Sequence, residues 1–249
     1  MTETKALRLT QAEKSAFLVR TYAWMAFALF LSAVAAYFTA THMYIQTEEG
    51  ITTLSAFGKM LFGNSGYGFI ALCVLEIVIV CVISAAIRKL SVFAATTLYV
   101  LYSVVNGLTL SSIFAVYEIN SICTAFFSTA LTFLVMCIYG AKTGADLTKV
   151  GRYLVMALVG IILASILQFV LGLITGAPLA MLDLLINIAT VIVFTGLTAY
   201  DSQKIIKTAE YAKNTDDYKK VALLGALELY LDFINLFLAL LRLFGKRKN

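Results

Sequence analysis

The sequence predicts an all-α polytopic membrane protein with seven transmembrane helices. Three observations carry that reading. Of the 249 residues, 61% are hydrophobic and only 13% charged, against roughly 45–50% and 25% in soluble domains. Runs of eighteen or more mostly apolar residues recur, each long enough to cross about 30 Å of hydrocarbon at 1.5 Å per residue. The Lys and Arg residues cluster at the ends of those runs. A soluble monomer is excluded. So is a transmembrane barrel, which needs alternating segments of about ten residues.

Taken in order, the spans fall at 21–40, 68–87, 92–116, 121–140, 153–175, 180–203 and 221–244. Residues 1–20 form a cytoplasmic N-terminal segment, 21–245 the seven-helix domain and 246–249 a basic tail. Lys5, Arg8, Lys14 and Arg20 precede the first span without a small-residue cleavage pattern, so no removable signal peptide is expected. Lys plus Arg counts in successive segments are 4, 1, 2, 0, 3, 0 and 5. Alternate segments therefore carry 14 against 1, which places the N-terminus and the even loops in the cytoplasm. The seventh run conflicts with the same rule. Crossing would put Lys246, Arg247 and Lys248 outside, so it either crosses at that cost or is re-entrant.

Loop one, Thr41 to Gly66, holds His42, Glu48, Glu49 and the stretch Gly63-Asn-Ser-Gly-Tyr-Gly68. Its glycine spacing resembles a phosphate loop, but there is no preceding strand and no Lys-Ser/Thr helix start, so it reads as a flexible turn. Pro178 ends one helix before the next. Gly172 and Gly176 form a small-xxx-small pair expected to pack closely on a neighbour. Gly107-Leu-Thr109 and Gly196-Leu-Thr198 echo each other in helices of opposite direction, a faint sign of an inverted repeat.

The remaining chemistry is sparse. Cys73, Cys81, Cys123 and Cys137 lie in apolar runs and read as buried hydrophobes, not as disulfide or zinc partners. His42 is the only histidine, which leaves histidine-dependent catalysis little to work with. No enzyme activity is expected, and no cofactor. The net charge of +5 follows the span ends rather than a groove, so it marks membrane orientation and not nucleic acid.

Acids inside apolar runs are the informative residues, since a carboxylate at mid-membrane costs at least about 2.5–3.5 kcal/mol. Glu76 lies in the second span with no basic residue within two turns. It must face protein or water. Asp201 ends the sixth span near Lys204. Asp232 has apolar sequence on both sides, too far from either end to snorkel. Glu228, Asp232 and Asn235 share one helical face, a polar stripe that belongs inside a bundle. Arg88 and Lys89, at the end of the second span, are the nearest cationic partners expected for these acids.

Leu-Tyr-Leu-Asp-Phe-Ile-Asn-Leu-Phe237 with Leu-Leu-Arg-Leu-Phe-Gly245, Tyr-Asp-Ser-Gln-Lys204 and Asn-Gly-Leu-Thr-Leu-Ser-Ser112 together resemble the Bax inhibitor family, the transmembrane Bax inhibitor motif proteins. The resemblance implies six helices wrapped around a central seventh, which settles the last run as a crossing helix. It also implies a pH-sensitive leak of Ca²⁺. The family's paired aspartates, proton sensor and weak, transient calcium site, fall on Asp201 and Asp232. Its second-helix acid falls on Glu76, and a gating latch on Arg88 in preference to Lys89. Glu228 stands outside the family's motif.

Two carboxylates held together in a poorly hydrated site cannot both ionise cheaply, so they share a proton. When it leaves, the site attracts a divalent cation or a salt-bridge partner. A tight Ca²⁺ cage needs 6–8 oxygens, more than are visible; conduction requires weak binding. The expected function is a proton-regulated calcium leak in which Glu76, Glu228 and Asn235 line the ion pathway. The alternative is a non-conducting membrane protein that binds and modulates another protein, such as a membrane protease or death-pathway protein. Short loops and the absence of organelle targeting point to a bacterial inner membrane.

Overall fold

The computed structural model describes residues 10–46, 52–63, 66–176, 179–209 and 215–248. Lys5, Arg8, Glu48, Glu49 and Pro178 lie outside the described residues. Seven of the described helices are long and apolar enough to cross a membrane: α1 (Gln11–His42), α3 (Tyr67–Ala86), α4 (Val92–Leu110) continued by a short α5 (Ile113–Val116), α6 (Ile119–Lys142), α7 (Thr148–Thr175), α8 (Ala180–Ala209) and α9 (Thr215–Phe244). Several run well past the apolar spans read from sequence. α1 begins ten residues before its span, and α8 and α9 each extend six residues further at their facing ends. Polar helical turns carry no apolar signal, so those ends were invisible to hydropathy.

The third span is not one helix. Ser111 and Ser112 turn their hydroxyls onto the carbonyls of Leu108 (2.6 Å) and Thr109 (2.8 Å), and the chain makes a turn there before α5. Such local bonds offer the backbone an alternative to the helix ladder. The first loop is also more ordered than a turn. Strands β1 (Tyr44–Gln46) and β2 (Thr52–Leu54) pair antiparallel, and a short helix α2 (Ala56–Phe62) follows. Ser55 caps α2 by accepting from the Gly58 N–H at 3.0 Å and donates to the His42 carbonyl at 2.7 Å.

The described chain divides into two compact units. One comprises α1 up to Val19, α6, α7, α8 and α9 from Glu228 onward. Its core holds Val193, Phe194, Leu197 and Leu236, and Phe126 and Phe133 of α6 meet Phe233 of α9 edge-on at 5.4 and 5.5 Å between ring centroids. Gly140 of α6 lies against the Ala199 backbone of α8, where a Cβ would collide with main chain. The other unit comprises α1 from Arg20 through α5, the start of α9 to Leu227, and Arg247 with Lys248. There Tyr99 donates to the Trp24 carbonyl at 3.1 Å, and Gly107 lets α4 approach Ser32 of α1.

Two sequence expectations are corrected here. Gly172 meets nothing within 4 Å, and Gly176 sits at φ 63° as the left-handed cap of α7, its N–H bonded to the Gly172 carbonyl. The pair ends a helix and does not pack one. Among the cysteines only Cys137 is buried; Cys81 and Cys123 are exposed, on faces that a bilayer makes favourable for an apolar thiol. All four are free. The seventh run is one unbroken helix of 30 residues, about 45 Å long. In its apolar window 67% of residues are buried, against 0% in that of α7, the burial expected of a central helix.

The basic tail is tied down. The Lys248 N–H donates to the Val116 carbonyl at 2.9 Å and its ammonium to the Phe114 carbonyl at 2.7 Å, while Arg247 forms a β-bridge with Tyr117. The Lys246 N–H donates to the Ser121 hydroxyl at 3.0 Å.

Candidate functional site

Asp232 lies on α9, its residue 4% exposed, and Asp201 on α8 at 8%. Their carboxyl groups are near enough to interact directly; two carboxyl groups hydrogen-bond only with a proton on one of them. One oxygen of Asp232, Oδ2, is buried and has no hydrogen-bond partner among the described residues. That is an expensive group to leave in a core.

Glu228 stands one turn before Asp232 on the same face and is half-buried. Its Oε1 accepts from the Lys204 ammonium at 2.7 Å, and the same ammonium lies 3.8 Å from Oδ1 of Asp201. Thus four groups, Asp201, Asp232, Glu228 and Lys204, form one cluster, with Lys204 its one cation among the described residues. Lys204 was read from sequence only as an interfacial neighbour of Asp201. Its signal was the i, i+3 spacing from that acid, which puts both on one side of α8. Asn235, the third member of the stripe, donates to the Leu231 carbonyl of its own helix at 2.8 Å.

Glu76 has a different setting, in the other unit. Asn106 of α4 donates to Oε2 at 3.1 Å and the Thr109 hydroxyl to Oε1 at 2.5 Å. Sequence reasoning missed both donors, although both lie in the Asn-Gly-Leu-Thr stretch at i, i+3 spacing. Arg88 occupies the turn after α3 with its side chain exposed. Its carbonyl receives the Lys220 ammonium at 3.4 Å. Within the unit that holds the aspartates, Lys204 is the cation on the cluster.

Among the described residues no three His, Cys, Asp or Glu side chains converge as metal ligands. Outside the membrane-spanning segments, Asp146 accepts from Lys207 at 2.7 Å and from the Thr148 hydroxyl at 2.7 Å. These partners hold its carboxyl well below the usual carboxylate range, the hydrogen bond from Lys207 contributing most.

Fold and site thus define a polytopic α-helical membrane protein with two buried aspartates in one unit, Asp201 and Asp232. The chain matches the family described as inhibitor of apoptosis-promoting Bax1 over residues 14–249. It belongs to that family, the Bax inhibitor family. It is similar to the inner membrane protein YbhL of Escherichia coli K12, 41% identical over 93% of this chain and 92% of that one. A Borreliella burgdorferi protein is 41% identical over 95% and 94% of the two chains. One from Rickettsia prowazekii is 32% identical over 99% and 98%.

Proposed function

We propose that the protein is a pH-sensitive calcium leak channel of a bacterial inner membrane, gated by Asp201 and Asp232. The observation that carries this reading is the burial of Asp201 and Asp232 side by side, with Oδ2 of Asp232 lacking a hydrogen-bond partner among the described residues. With the shared proton in place, the pair presents one negative charge. When it leaves, two carboxylates face each other beside one ammonium, and a hard divalent cation supplies the missing charge. Two side chains give only part of a Ca²⁺ shell, so binding is weak and water completes it.

Glu228 and Asn235 continue the stripe on either side of Asp232 and, with Glu76, line the proposed pathway. Arg88 is the proposed latch, with Lys89 as its comparison. The N-terminus is cytoplasmic and the C-terminus external, so a cytoplasm-only reporter fused after Asn249 stays inactive; an active one overturns that orientation. The similarity to an inner membrane protein supports the location.

Calcium flux into liposomes holding only this protein tests the reading. Wild type conducts with a pH dependence of up to about tenfold per pH unit, the limit for a one-proton switch. Asp201→Asn and Asp232→Asn each flatten it. A wild-type pH profile in both variants rejects the pair as sensor. Absence of flux at every pH favours a non-conducting protein that acts through a partner.

A further inference from the structure

Within the first unit, α7, α8 and the last turns of α9 enclose a cleft of about 410 Å³ with Arg242 among its lining residues. Its α7 wall is apolar and open: Ile162, Ile166 and Phe169 line it and are 50%, 55% and 67% exposed. In a bilayer those faces meet hydrocarbon, so the cleft opens to lipid and not to water. Its polar floor is partly turned inward. Asn187 donates to the Asp183 carbonyl, Thr190 to that of Ile186 and Asn235 to that of Leu231, at 2.7, 2.7 and 2.8 Å. Each of these side chains spends a donor within its own helix. A void here would lose dispersion contacts along both walls, and the surrounding medium offers acyl chains to fill it.

Charge selects the rest of the occupant. Arg242 is exposed two residues before α9 ends at Phe244, at the level where headgroups lie. No Asp or Glu among the described residues pairs with it. It stands seven residues from Asn235, about 10.5 Å along the helix, so a chain seated beside Asn235 leads up to the guanidinium. A guanidinium binds phosphate in bidentate fashion.

We propose that this cleft is a phospholipid site, taking one acyl chain along α7 and the phosphate of an anionic glycerophospholipid on Arg242. A zwitterionic lipid binds less well because its own ammonium competes for the phosphate. The cleft shares Asn235 with the pathway of the leak reading, but lipid retention and calcium flux are separate measurements, so either reading can fail alone.

Native mass spectrometry of the full-length protein in detergent, given phosphatidylglycerol and phosphatidylcholine of equal chain length, tests it. Wild type retains one phosphatidylglycerol in preference. Arg242→Gln, at an exposed position, weakens that retention about tenfold, and Arg242→Lys restores part of it. Ser165→Trp, which fills the cleft, removes retention with Arg242 intact. Equal retention of both lipids by wild type, or no loss in Arg242→Gln, overturns the phosphate contact. Undiminished retention in Ser165→Trp overturns the cleft as the acyl site.

Discussion

Glu76 and the Asp201–Asp232 pair are carboxyl groups inside crossing helices, and each unit houses its own in a different way. Glu76 receives one neutral donor on each oxygen, from Asn106 and Thr109, and no cation touches it among the described residues. The aspartates receive each other, with Lys204 and Glu228 beside them and one oxygen unpartnered. A neutral donor on each oxygen fixes a carboxyl's geometry and meets part of its demand. A carboxyl that leans on another carboxyl has an unmet demand, which a proton or a cation can fill. The contrast teaches that burial alone does not make an acid functional; the kind of partner does.

The largest expected effect bears on the Glu76 side. Glu76→Leu strands the Asn106 amide and the Thr109 hydroxyl, lowering stability by about 1–3 kcal/mol, seen as a fall in melting temperature in detergent. Glu76→Gln, which keeps an acceptor, loses less. Both retain the wild-type pH dependence of flux. A flattened pH profile with unchanged melting would move Glu76 to the aspartates' side of the comparison.

At the cluster, Lys204→Ala removes the ammonium that meets Asp201 and Glu228. Because the Lys204 side chain is 41% exposed, the loss of stability is small, about 1 kcal/mol or less. Glu228→Gln combined with Lys204→Ala recovers part of it, and the double-mutant cycle reports the coupling. Strict additivity would show that the 2.7 Å pair is idle.

Asp146 is the control, an exposed acid held by full hydrogen bonding outside the spans. Since its folded value lies below the ordinary one, its contribution is complete above about pH 4 and is lost as pH falls toward the depressed value. The small melting gap between wild type and Asp146→Asn should therefore hold from pH 8 to 5 and narrow below about 4. A gap that widens in acid contradicts the assigned partners.

The helices and the acids were legible because both are statements about single stretches of chain: an apolar run has a length, and a carboxylate inside one is conspicuous. What joins stretches was not. Lys204 looks like any basic residue at a span end, since the positive-inside rule explains it without a partner. Asn106 and Thr109 are neutral and raise no alarm in an apolar helix, though they decide what Glu76 is. Gly140 carries no mark distinguishing it from Gly172, yet one meets a backbone and the other open space. The aspartate contact was reachable only through family resemblance, because the level at which two helices meet is set by their packing and not by where their apolar runs begin.

The tail strapped to the corner after α5 bears on how the chain is assembled. The Lys248 ammonium closes on a carbonyl 134 positions earlier. It can dock only after α9 has been threaded and the Phe114 corner already waits for it. Once docked, the Lys248 N–H and ammonium are held by two carbonyls and the Lys246 N–H by a hydroxyl, so releasing the tail breaks several hydrogen bonds at once. Fastening it thus follows the formation of both elements it joins.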